Sequence, residues 1–157
     1  MSTLVLGIGN TLLTDEGIGI HVLHYLQQHY QDRAEYVDGG TLSFTLLPLL
    51  TPTQQLIVID AAQFEAAAGS IRCWRDHELD AFLTAKPATS VHEVSLLDLF
   101  DLARLTACLP ERRALFGIQP ALLDWGDTPT PQLNSKIPDF ANQIIALIET
   151  WDTFKAD

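Results

Sequence analysis

The chain has 157 residues, 47% hydrophobic and 18% charged, which is one domain's worth of sequence and enough apolar content to bury a core without disulfides. Nine Lys and Arg against twenty Asp and Glu give a formal net charge of −11, so nucleic acid and an anionic membrane, which need basic clusters, are not the expected partners, while a cation or a basic polypeptide is attracted. Composition excludes a disordered or collagen-like chain, and no run of about 18 apolar residues offers a membrane span.

In chain order, Thr3–Ile8 (TLVLGI) is rich in β-formers and reads as a buried strand, followed by a loop over 9–16. A helix is predicted over 17–29, with Ile18, Val22, Leu23 and Leu26 as its apolar stripe. Its two glycines, Gly17 and Gly19, lower helix propensity, so close packing or a ligand must require them. Residues 34–37 form a second strand, closed by Asp38-Gly39-Gly40. A short helix is predicted over 41–50, although Pro48 sits inside it. Gln55–Ala61 (QLIVIDA) is the clearest strand, a continuous apolar run suited to a sheet covered on both faces. Residues 70–74 read as an edge strand and 76–89 as polar connection. A long helix over 91–109 is ended by Pro110, and 113–118 is another buried strand. Residues 119–132 are loop. A last helix over 137–154 buries Phe140, Ile144, Ile145, Ile148 and Trp151. The tryptophans and other aromatics read as ordinary core. The alternation of strands and helices predicts a three-layer α/β/α sandwich with a mainly parallel central sheet, one domain over residues 1–157.

Gly7-Ile8-Gly9-Asn10 after the first strand is not a nucleotide loop. The dinucleotide fingerprint needs a sixth-position glycine where this chain has Leu12, and a P-loop lysine is missing because the first lysine is Lys86. Asp15 and Glu16, directly before the helix, would repel a pyrophosphate. Either Thr14 or Asp15 can cap the helix, and two acids doing so would be redundant.

In doubly wound sheets, ligands bind outside the C-terminal edges of the strands. Glu16 follows the first strand, Asp38 the second, Asp60 ends the third, and His92 starts the long helix, so all four are expected at one edge. Asp60 closing an apolar strand needs a hydrogen-bond partner or a metal. Asp38 before two glycines has turn formation as its alternative. His92 taken alone reads as a plain helix-start residue, with Ser90 as the alternative cap, but a helix N-terminus disfavours the imidazolium and leaves the ring available as a ligand. A Glu, Asp and His donor set suits borderline divalent ions such as zinc or nickel. His92-Glu93 is not a thermolysin-type pair, because Leu96 stands where the second histidine would be, and Glu93 reads as a first-turn helix acid. There is no G-x-S-x-G elbow. Cys73 and Cys108 form neither a disulfide framework nor a thiolate metal site and read as small buried hydrophobes. His21, His24, His29 and His77 carry no site signal.

The segment from Gly7 to Gly19 (GIGNTLLTDEGIG) resembles the opening motif of the nickel–iron hydrogenase maturation endopeptidases. Asp38-Gly39-Gly40-Thr41, Asp60-Ala61, residues 90–99 (SVHEVSLLDL) and Gly117-Ile118-Gln119-Pro120 are similar to further stretches of that family. The resemblance covers nearly the whole chain. It departs at residues 65–69 (EAAAG), where family members often carry a Pro-Gly pair, a difference that bears on which large subunit docks there.

The resemblance implies a nickel-dependent endopeptidase that removes the C-terminal extension of a hydrogenase large-subunit precursor. Nickel would be supplied by the precursor, with no nucleotide involved. Glu16, Asp60 and His92 are implied as metal-contacting residues, and Asp38 as a further acid serving as base or orienter. The protein is expected in the cytoplasm, without a signal peptide or membrane insertion, and as a monomer when free. Two rival readings are a non-catalytic nickel-sensing maturation chaperone and a nucleotide-binding oxidoreductase.

Overall fold

A computed structural model describes residues 3–41, 44–50, 55–84 and 91–154, the side chains of 91–95 excepted. Five strands, β1 (Thr3–Ile8), β2 (Glu35–Gly40), β3 (Gln55–Ala61), β4 (Ile71–Arg75) and β5 (Arg112–Ile118), form one sheet in the order β2-β1-β3-β5-β4. All neighbouring pairs are parallel except β4, which runs antiparallel to β5 at an edge. The strands at 3–8, 55–61 and 112–118 lie side by side and are almost wholly buried, as their continuous apolar runs require of a sheet covered on both faces.

The helices are α1 (Ile18–His29), α2 (Leu47–Leu50), α3 (Asp76–Thr84), α4 (Val91–Leu105), α5 (Pro131–Asn134) and α6 (Ile137–Thr153). Side chains alternate across the sheet with the two-residue period of a strand. Val5, Ile57, Ile59, Ala114, Phe116 and Ile118 pack with α1 and α6 in one core. Leu4, Leu6, Ile8, Leu56, Val58 and Leu115 pack with α2, α3 and α4 in the other. Two cores separated by one sheet make the three-layer α/β/α sandwich. The expected stripe of α6 is buried throughout, from Phe140 to Trp151.

Four sequence expectations are corrected. Residues 76–84 are helical rather than open connection, because Leu79 and Leu83 bury one face of α3 and Asp80 anchors the other. The long helix stops at Leu105, short of 109. Asp38 lies inside β2 rather than after it. Trp125 is 77% exposed and takes no part in the core. Part of the predicted 41–50 helix lies outside the described residues, and the remainder is a 3-10 turn leading into α2.

Candidate functional site

The order β2-β1-β3 creates a switch point. From β1 the chain crosses through α1 to β2 on one side, then passes α2 to reach β3 on the other. The C-terminal ends of β1 and β3 therefore diverge into a crevice of the kind that binds ligands in open α/β sheets. Glu16 sits beside it, half-buried, in the 3-10 turn Thr14–Gly17. Asp60, the penultimate residue of β3, is 6% exposed.

Glycines let the Glu16 turn press against the strand ends. A Cβ on Gly19 would lie 2.3 Å from the Ile59 carbonyl oxygen and 2.4 Å from that of Ile8. Gly9 has φ +147°, and a Cβ there would lie 2.1 Å from the carbonyl oxygen of Glu16 itself. The glycine motif thus serves backbone packing, which brings the Glu16 turn onto the strand that carries Asp60.

Strand alternation puts Asp60 on the α4 side, since Leu56 and Val58 face that core and Ile57 and Ile59 the other. The first turn of α4 carries His92. Because α4 ends at Leu105 and β5 begins at Arg112, the helix runs back antiparallel to β5, and its start falls at the same C-terminal edge. The His92 side chain lies outside the described residues. Among those described, no three His, Cys, Asp or Glu side chains form a metal cluster. Asp38 pairs in register with Gly7, and Gly7 with Ile59. It is thus level with the end of β3 but two strands away, about 10 Å. Asp38 is exposed, and its Oδ1 accepts a hydrogen bond from the Gly40 N–H at 2.8 Å, the turn-forming role that was its alternative.

Asp15 is one of two candidate caps, with Thr14, and neither the 3-10 turn nor α1 has a side-chain cap. Instead its carboxylate, 0% exposed, clamps the loop after β5. It accepts hydrogen bonds from the backbone N–H groups of Ala121 (2.8 Å), Leu122 (3.0 Å) and Thr130 (2.7 Å), and from the Thr130 hydroxyl (3.0 Å). The Thr14 hydroxyl donates to the Leu122 carbonyl at 2.6 Å. The backbone joins the same loops, Thr14 N–H to Gly126 O at 2.8 Å and Gly126 N–H to Leu12 O at 2.9 Å. The sequence signal was the redundancy of two adjacent acids where one cap suffices. Gln119 is a second such residue. Buried at the end of β5, it accepts at Oε1 from the Phe64 N–H (2.9 Å) and donates from Nε2 to Gln63 Oε1 (2.7 Å), fixing the loop after β3 that follows Asp60.

His21, on α1, has a buried Nε2 without a hydrogen-bond partner. Burial pushes its pKa below 6.5, His24 adds to this, and Asp127 opposes it. Burial pushes the Cys73 thiol up to about 11, which keeps it protonated and unreactive as a small half-buried hydrophobe.

Residues 20–148 match the family model described as HycI, hydrogenase maturation protease. The "Hydrogenase 2 maturation protease" of Escherichia coli is 35% identical over 151 residues, 94% of this chain and 91% of that one. The "Hydrogenase expression/formation protein HupD" of Bradyrhizobium diazoefficiens is 35% identical over 149 residues, 91% of this chain and 77% of that one. The solved hydrogenase maturating endopeptidase HybD from E. coli has a TM-score of 0.88 and 34% identity, covering 96% of this chain and 93% of that one.

Proposed function

The chain belongs to the hydrogenase maturation protease family, and from that premise we propose how it acts and on what. It is an endopeptidase of hydrogenase maturation. Its substrate is the large-subunit precursor of a nickel–iron hydrogenase, from which it removes a C-terminal extension once nickel is in place. Glu16, Asp60 and His92 contact the nickel carried by the precursor, an oxygen, oxygen and nitrogen set suited to a borderline divalent ion. Holding the substrate by its metal raises the effective concentration of the scissile segment at the crevice. Asp38, on β2 and level with the end of β3 across β1, serves as base or orients water or the substrate backbone. The free protein is a monomer in the cytoplasm. No helix among the described residues is long and apolar enough to cross a membrane.

The observation that supports this reading is the convergence of the Glu16 turn and Asp60 on the switch-point crevice. The test is incubation of the protein with nickel-loaded and nickel-free precursor, followed by intact-mass analysis. Loss of a C-terminal peptide from the loaded form alone is expected. Equal cleavage of both forms would remove nickel from the mechanism. Cleavage of neither would favour a docking role without catalysis.

A further inference from the structure

The two loops joined through Asp15 and Thr14 display apolar side chains to solvent. Seven large hydrophobic residues are exposed among those described, and four of them stand here: Leu12 before the Glu16 turn, and Leu122, Leu123 and Trp125 after β5. Scattered exposed leucines are ordinary, but a group of them with a tryptophan beside a functional crevice marks a binding surface. This group is also held rigidly. The fully buried Asp15 carboxylate fixes the backbone of 121 and 122, the single Thr14 O–H is shared between the carbonyls of Leu122 and Asp124, and a bridge pairs Leu13 with Gly126. Preorganised loops lose little entropy on binding.

Charge narrows the occupant. Residues 1–32 and 114–135 contain no Lys or Arg, whereas Glu16, Asp124 and Asp127 lie on these two loops. The face is therefore apolar and acidic. A second copy of the chain would set acids against acids, at −11 each. An apolar recess rimmed by Lys and Arg on another protein is the complementary surface.

We propose that Leu12, Leu122, Leu123 and Trp125 form the surface on which the folded body of the precursor docks, with Trp125 seated in an apolar recess bordered by basic side chains. This rests on the reading of the precursor as substrate. It adds a recognition surface separate from the residues that meet the metal. Docking the body here places the C-terminal segment over the adjoining crevice.

The experiment is steady-state cleavage of nickel-loaded precursor by the wild type, Trp125→Ala, Leu122→Ser and, as a control remote from this face, Leu105→Ala. Each is checked for folding by circular dichroism. Trp125→Ala and Leu122→Ser are expected to raise KM about tenfold or more while kcat stays within about twofold, and Leu105→Ala to match the wild type. An unchanged KM in a folded Trp125→Ala or Leu122→Ser protein would overturn the proposal. So would an effect confined to self-association in sedimentation, which would assign the face to a second copy.

If the wild type cleaves nothing, the reading of the reaction fails, and binding is judged separately by fluorine NMR of protein labelled with 5-fluorotryptophan. Trp74 and Trp151 are 3% and 2% exposed, so unlabelled precursor should shift the Trp125 resonance, while the other two broaden with the slower tumbling of the complex but keep their positions. A Trp125 resonance that keeps its position at saturating precursor, whether or not it broadens with the other two, would overturn the docking proposal on its own.

Discussion

An amide in place of a carboxylate keeps the shape of the side chain and removes the anionic oxygen that a metal needs. Glu16→Gln and Asp60→Asn are therefore expected to keep wild-type circular dichroism yet leave nickel-loaded precursor uncut by intact mass. His92→Ala should do the same. Full cleavage by the two amide variants would assign both acids to capping and packing. His21 supplies a different test. Its folded pKa lies below the unfolded 6.5, so the unfolded state takes up the proton first, and stability falls as pH drops below about 6.5. His21→Phe removes that titration, and its urea midpoint should gain on the wild type between about pH 7.5 and 5.5. A constant difference across that range would exclude His21 from the pH dependence. Sequence revealed Asp60 because an acid closing an apolar strand stands out. It could not reveal what Asp15 does, since the bonded partners lie 106 to 115 residues away and leave no local pattern.

At the scale of elements, strands buried on both faces were the most legible parts, because a short, continuous run of apolar β-formers suits little besides a strand covered on either side. Helix α3 was not legible, because only Leu79 and Leu83 of its nine residues are buried and the polar remainder hides the period. Tertiary contacts make this helix. Asp80 accepts a close pair of hydrogen bonds from the buried Arg113 guanidinium of β5 and lies 3.5 Å from Arg104 of α4. The Asp76 carboxylate accepts the Arg113 backbone N–H at 3.0 Å. Asp80→Ala leaves Arg113 buried without its counter-charge and is expected to cost about 3 kcal/mol. Urea unfolding measures this directly. A loss under about 0.5 kcal/mol would mean that the Pro110 and Glu111 carbonyls, which also accept from Arg113, suffice alone.

For the whole molecule, the strand order was beyond reach from sequence. It depends on which strands pair across long separations, and the switch point between β1 and β3 is a product of that order. The charge was legible from the start. An acidic enzyme that meets a basic face on its substrate should lose kcat/KM as ionic strength rises from about 0.05 to 0.3 M, chiefly through KM, because salt screens encounter more than it alters a closed site. A flat profile would mean that the −11 serves solubility alone.

The hydrogen bonds that Asp15 receives come from three main-chain amides and the Thr130 hydroxyl, so the anchor does not read the side chains at 121–125. Substitution at 122, 123 or 125 leaves every one of those bonds in place. The loop is a fixed frame with interchangeable lettering. On the docking proposal, the exposed side chains at 122, 123 and 125 can therefore be exchanged one at a time, each exchange leaving a folded protein, while the backbone beside the crevice keeps its place.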